Sequence, residues 1–185
     1  MKHIVILFFL LLTMSAYGQD KYNFLYADRL IELKGTDYVL SKVENWGKIV
    51  KSQYLLFINT RNGQSKRIDF AKDASVHLAE QIKIDSLQIN KVLVVARTVN
   101  LDNSKRIDWG DPTQIILLST DGQEKVQLTD DKFFVRDWVI NCQTGNIVVR
   151  GHYDTNNNGK YDKADDYQIL LYDLKTLKLA SKVQE

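Results

Sequence analysis

Short continuous apolar runs, each closed by turn-forming residues, set the pattern of this chain. They are Tyr54 to Ile58, Val92 to Ala96, Ile115 to Leu118, Ile147 to Val149 and Ile169 to Tyr172. Runs of this length, rich in Val, Ile and Leu, predict strands buried on both faces rather than one-sided helices. Between them, Arg61-Asn62-Gly63-Gln64, Thr120-Asp121-Gly122-Gln123 and Thr144-Gly145-Asn146 carry the signals of tight hairpins. Pro112 stands just before one run, where a missing amide donor does least harm. The chain therefore reads as mostly antiparallel β. Two weaker helical patterns compete. Tyr22, Leu25, Tyr26, Leu30 and Leu33 are spaced to share one face of a short N-terminal helix, and Ala71 to Gln81 suggests a second.

The strand pattern also repeats. A strand, a long acidic loop, a strand, a tight turn and a strand describe Val92 to Leu128 and again Ile147 to Lys182, with the two loops 54 residues apart. Asn103, Asp108 and Asp111 recur as Asn157, Asp162 and Asp165, and Gln114-Ile115-Ile116-Leu117 recurs as Gln168-Ile169-Leu170-Leu171. A partial third copy lies upstream, where Tyr54 to Ile68 parallels Ile116 to Leu128. Several short strands per unit, at a period near fifty residues, are the sequence form of propeller blades.

The stretch from Gln114 to Thr129, with Asp121-Gly122 between its strands and Leu128-Thr129 at its end, resembles the blade hairpin of TolB-like propeller repeats. Thr144-Gly145-Asn146-Ile147-Val148-Val149 resembles the turn and strand that precede it in such blades. The resemblance covers residues 53 to 182 and implies an all-β body of antiparallel propeller-like blades, two complete and one degenerate. A β-sandwich is the alternative architecture. The Pro-Asp-Gly turn usual in that family is missing before Val92 and Ile147. Propellers of the family close with four or more blades, so so few units imply an open arc whose blade edges invite self-association.

The second acidic loop, Asp154 to Asp165, has the spacing of a calcium loop. Asp154, Asn156, Asn158, Asp162 and Asp165 put oxygen-bearing side chains at loop positions 1, 3, 5, 9 and 12, Lys160 offers its backbone carbonyl at position 7, and Gly159 permits the turn at position 6. Asp replaces the bidentate Glu of an EF-hand, and strands flank the loop, so it looks more like the short calcium loops of exported modules such as dockerins. Three carboxylates and two amides predict a structural Ca2+ of weak affinity, on the order of 10⁻⁴ to 10⁻³ M. A solvated turn whose Asn and Asp bond their own backbone is the competing reading. The first loop offers a poorer set in Asn100, Asp102, Ser104, Asp108 and Asp111, because Lys105 replaces the glycine and Asn100 is neutral. No metal is expected there.

Catalytic constellations are sparse. Past the N-terminal segment only His77 and His152 remain as histidines, and no nucleophile-elbow, zinc or phosphate-loop motif is present. Asp108 with Asp111, or Asp162 with Asp165, could in principle serve a glycosidase, but each pair lies within one loop at metal-ligand spacing. Trp109, between Asp108 and Gly110, is the residue that could stack on a ligand; a ring folded back over the neighbouring strand is the commoner arrangement.

Composition narrows the setting. Lys2 and His3 precede an apolar run from Ile4 to Leu12, too short to span a bilayer, and Ala16-Tyr17-Gly18 supplies a small-x-small cut before Gln19. Residues 1–18 thus read as an export signal and 19–185 as one β-repeat domain, periplasmic or extracellular, with no stable membrane span after processing. A formal charge of +2, with acids and bases interspersed, excludes nucleic acid as an obvious partner. Cys142 is the only cysteine, so no internal disulfide supports the fold. The expected role is an exported, non-enzymatic binding or scaffolding protein with a protein or carbohydrate partner; the alternative is an exported carbohydrate-active hydrolase working through loop carboxylates.

Overall fold

The computed structural model describes residues 24–46 and 50–183; the expected export signal, and Tyr22 of the expected helix, lie outside the described residues. Among them the chain forms three four-stranded antiparallel sheets, each a simple meander. The first holds β1 (Phe24–Glu32), β2 (Tyr38–Trp46), β3 (Val50–Asn59) and β4 (Ser65–Asp69). The second holds β5 (Ser75–Ile84), β6 (Ile89–Arg97), β7 (Gln114–Ser119) and β8 (Lys125–Gln127), and the third β9 (Phe133–Asn141), β10 (Asn146–Tyr153), β11 (Asp166–Asp173) and β12 (Lys178–Val183). The architecture is all-β with propeller-like blades. The first blade is complete rather than degenerate, and three sheets replace the two of a sandwich.

Both expected helices are strands. Leu25 to Glu32 pairs with β2, with a register shift between Ala27 and Leu30 that disturbs the two-residue alternation. In β5 the buried positions Val76, Ala79 and Ile82 fall three apart, which mimics a helical face. The cause is a register shift between Val76 and Leu78 and a change of face along the strand. Val76 and Ala79 pack toward the first blade, whereas Ile82 and Ile84 pack toward the third.

The middle blade carries the core on both of its faces. Val92, Val94, Ala96, Ile116 and Leu118 join Leu33, Leu40, Leu55 and Phe57 of the first blade in one cluster. Their neighbours in the same strands, Leu93, Val95, Ile115 and Leu117, join Phe133, Ile147, Val149, Leu170, Tyr172 and Leu174 of the third. Each such side chain, fully buried, contributes about 1.5–3 kcal/mol. The two faces explain why β6 and β7 are continuously apolar, since neither side of the sheet meets water.

The residues of the hairpin motif have local work. Asp121 accepts from the Ser119 hydroxyl and the Gln123 amide, which holds its carboxyl below the usual range. Gly122, at φ +72°, leaves room for the Phe57 ring; a Cβ there would lie 2.7 Å from it. Thr129 closes the strand, its hydroxyl accepting from the Ile115 amide at 3.0 Å while the Leu128 amide donates to the Ile115 carbonyl.

Burial, and secondarily the nearby Asp130, pushes the Tyr172 phenol up from 10.0 to about 12. The folded protein then holds this proton more tightly than the unfolded chain, so the associated stability is intact below about pH 10 and is lost as pH rises toward 12. Chemical denaturation between pH 9 and 12 should show a loss on the order of 2 kcal/mol that Tyr172→Phe removes. An equal loss in the variant would show that Tyr172 is not responsible.

Candidate metal-binding loop

The two acidic loops occupy equivalent places, β6 to β7 in the middle blade and β10 to β11 in the third. Pairing refines the repeat. Leu93 faces Leu117 and Val148 faces Leu171, so the spacing is 54 residues in the strand after the loop and 55 in the strand before it.

In the second loop the side chains turn inward onto the backbone. Asp154, only 1% exposed, accepts from the Asn158 amide at 3.2 Å and the Gly159 amide at 2.9 Å. Asn156 Oδ1 accepts from the Asn158 amide, and Asn158 Oδ1 from the Lys160 amide. Asn157 takes the left-handed conformation at φ 59° and Gly159 at φ +72°. Asp162 Oδ1 accepts from the Ala164 amide, and its Oδ2 from the side-chain amides of Asn156 and Asn158. These bonds, the Ala164 amide foremost, hold the Asp162 carboxyl below the usual range, opposite to what a general acid of a glycosidase requires. Asp165 Oδ2 accepts from the Asp162 amide at 2.9 Å, whereas Asp165 Oδ1 is buried with no hydrogen-bond partner.

The first loop winds the same way and closes itself. Asn100 and Asp102 both accept from the Ser104 amide, and Asn103 is left-handed at φ 55°, as Asn157 is. Asp111, the counterpart of Asp165, has both oxygens engaged, by the Leu101 amide at 2.7 Å and the Asp108 amide at 2.8 Å. The Ser104 hydroxyl donates to the Arg106 carbonyl, and Asp108 Oδ1 accepts from the Gly110 amide. Gln114, fully buried, ties the base by accepting from the Thr98 amide and hydroxyl and donating to the Pro112 carbonyl.

The loops also touch, which spacing alone did not show. A Cβ on Gly159 would lie 2.6 Å from the Leu101 carbonyl oxygen and 2.7 Å from Asp102 Cα. Lys132 Nζ donates to Asn157 Oδ1, and the Asp154 amide donates to the Lys132 carbonyl. Tyr161 folds back onto the third blade, its ring 4.7 Å from that of His152 and 6.3 Å from that of Phe134, with the Arg136 guanidinium over it at 3.9 Å. His152 thus sits between Tyr161 and Tyr167 rather than against a loop carboxylate. Burial, then Arg97 and Lys42, pushes the His77 imidazole down. Among the described residues neither histidine is bonded to an acid. Trp109 is 87% exposed, so its ring is not folded over the adjacent strand.

Among the described residues no three His, Cys, Asp or Glu side chains converge as a metal-binding group. The donor set of the second loop is of another kind, made of carboxylates, amide oxygens and a carbonyl. Oxygen donors of this type suit a hard cation, and a buried carboxylate oxygen lacking a partner is the feature such an ion would satisfy.

No protein-family model and no curated protein matches the chain. Among solved structures it is similar to the β-propeller domain of the trilobed protease from Pyrococcus furiosus, described as having an open velcro topology, at 10% identity and a TM-score of 0.47 over 88% of this chain and 43% of that one. It is also similar to an acylaminoacyl peptidase from Pyrococcus horikoshii, at 11% identity and a TM-score of 0.45 over 86% of this chain and 25% of that one. The chain thus spans less than half the length of either. Its assignment to blades rests on its own three sheets.

Gly159 and Gly63 share φ +72°, but nothing lies within 4 Å of a Cβ built at Gly63. Gly63→Ala should therefore cost only the left-handed penalty of about 1–2 kcal/mol. Gly159→Ala should cost about 1–3 kcal/mol more, because the two loops must also part. Equal losses by thermal denaturation would mean that the loops do not bear on each other.

Proposed function

We propose that the chain is an exported, non-enzymatic binding or scaffolding module whose last blade is pinned by a structural calcium ion. The observation that carries the metal assignment is Asp165 Oδ1, buried without a partner in a loop where Asp154 is also buried and Asn156, Asn158 and Asp162 bond within the loop. Its counterpart Asp111 is satisfied by two backbone amides and has no such need, which supports a single site. Asp154, Asn156, Asn158, Asp162 and Asp165 would hold the ion through side chains and Lys160 through its carbonyl. The ion supplies positive charge against three carboxylates and a fixed connection between β10 and β11. The chain's own contribution is to prearrange that loop through the Asp154 bonds to the Asn158 and Gly159 amides. Export follows from the short apolar N-terminal run and its small-x-small end. A non-catalytic role is supported by the lowered Asp162 carboxyl and by His152 lying between Tyr161 and Tyr167 rather than beside an acid.

Adding about 10 mM calcium to a site of the expected affinity should stabilise the fold by about 1.4–2.7 kcal/mol, a rise of about 3–10 °C in melting temperature. Asp154→Ala should lose that rise, and magnesium should reproduce little of it. A full rise in the variant, or none in the native chain, would sink the calcium site.

A further inference from the structure

An open cleft of about 270 Å³ lies where the first two blades meet the first acidic loop. Its walls are Gln53 of β3, Asp73 and Ala74 of the connection into β5, Ser75 at the start of β5, and Arg106, Ile107 and Asp108 of the loop. Gln53 is a fixed part of the wall, donating to Glu44 and accepting from the Val76 amide. Among the described residues, the Arg106 guanidinium, the Asp73 carboxylate and the Ser75 hydroxyl have no hydrogen-bond or ion-pair partner. Trp109 follows Asp108 directly and exposes 87% of its surface.

From these features we propose that the cleft and Trp109 bind a neutral glycan. Unspent donors and acceptors of both kinds, on two planar side chains and one hydroxyl, match the hydroxyls of a sugar. The indole offers a flat apolar face for the C–H face of a ring. Charge argues against an anion, because Asp73 and Asp108 outnumber Arg106. A polypeptide hot spot would set the aromatic ring among other apolar side chains, whereas here Trp109 adjoins in sequence a cleft where five of the seven lining residues are polar. The volume falls just under the range of about 300–1,000 Å³ that encloses a drug-sized ligand, so the cleft takes one segment of a longer chain while Trp109 supports the next. This inference rests on the binding-module reading but not on the calcium ion.

The test is calorimetric titration of the full chain, with calcium present, against cellohexaose, chitohexaose, maltohexaose and xylohexaose, with indole fluorescence recorded in parallel. At least one should bind and perturb the indole emission. Trp109→Ala should weaken that binding at least about tenfold, and Arg106→Ala should weaken it measurably, with melting temperatures unchanged because both side chains are exposed. Binding that survives both substitutions would put the site elsewhere. Failure of all four sugars to bind, or an indole response confined to an unfolded polypeptide such as carboxymethylated casein, would overturn the glycan assignment. Each result leaves the calcium-dependent melt to be judged separately.

Discussion

Everything in this molecule depends on a middle sheet that has no wet face. A four-stranded sheet with one apolar side needs one partner, and a sheet with two needs two, so the second blade cannot be stable without both neighbours. Alternate residues of β6 and β7 supply the two contacts, with Val92, Val94, Ile116 and Leu118 toward one blade and Leu93, Val95, Ile115 and Leu117 toward the other. A shift of one residue in either strand would exchange the two sets. Register is therefore constrained twice over, once by each cluster. The fixed hairpins, with Asp121 bonded to Ser119 and Thr129 bonded to Ile115, hold it from the turns as well.

The acidic loops show how one duplicated segment can reach two electrostatic solutions. Both wind through a left-handed Asn and both end in a buried Asp. In the first, the Leu101 and Asp108 amides neutralise Asp111 from inside the loop. In the second, Asp165 has one amide and a bare oxygen, while two Asn side chains are spent on Asp162. A buried oxygen without a donor costs about 1–3 kcal/mol. That cost, set against a self-contained neighbour only a backbone contact away at Gly159, is the physical ground for placing an ion in one loop alone.

The sequence disclosed the body better than its ends. All five apolar runs are strands, and they are inner strands of their sheets, where burial on both faces or within the ladder leaves the strongest hydrophobic trace. The two acidic loops were visible as well, as the long connections between the second and third strands of two blades. Edge strands were misread because β1 and β5 carry register shifts, and in β5 a change of face produced a three-residue apolar spacing without any helix. The completeness of the first blade was hidden because it lacks the acidic loop that marks the other two. Nor could spacing distinguish Asp165 from Asp111, since their difference lies in which backbone amides each can reach. The exposure of Trp109 was a matter of loop path, which composition does not fix.

The outermost face of the third blade bears on whether the arc is built to add another copy of itself. Register places Val148, Arg150, Ile169 and Leu171 where the middle blade has Leu93, Val95, Ile115 and Leu117. Three of the four remain apolar, and Val139 and Val183 on the same face are 62% and 50% exposed. The fourth is decisive, because Arg150 pairs with Asp137 at 3.3 Å where Val95 lies in a dry interface. Covering that pair with another blade would strip water from two charges, and the mutual attraction of a single exposed pair rarely repays that loss. A small hollow of about 120 Å³ between Trp138, Val139 and Ile169 further breaks the flatness that sheet stacking requires. The face thus keeps the alternation of a blade while carrying a charge pair where the middle blade carries Val95.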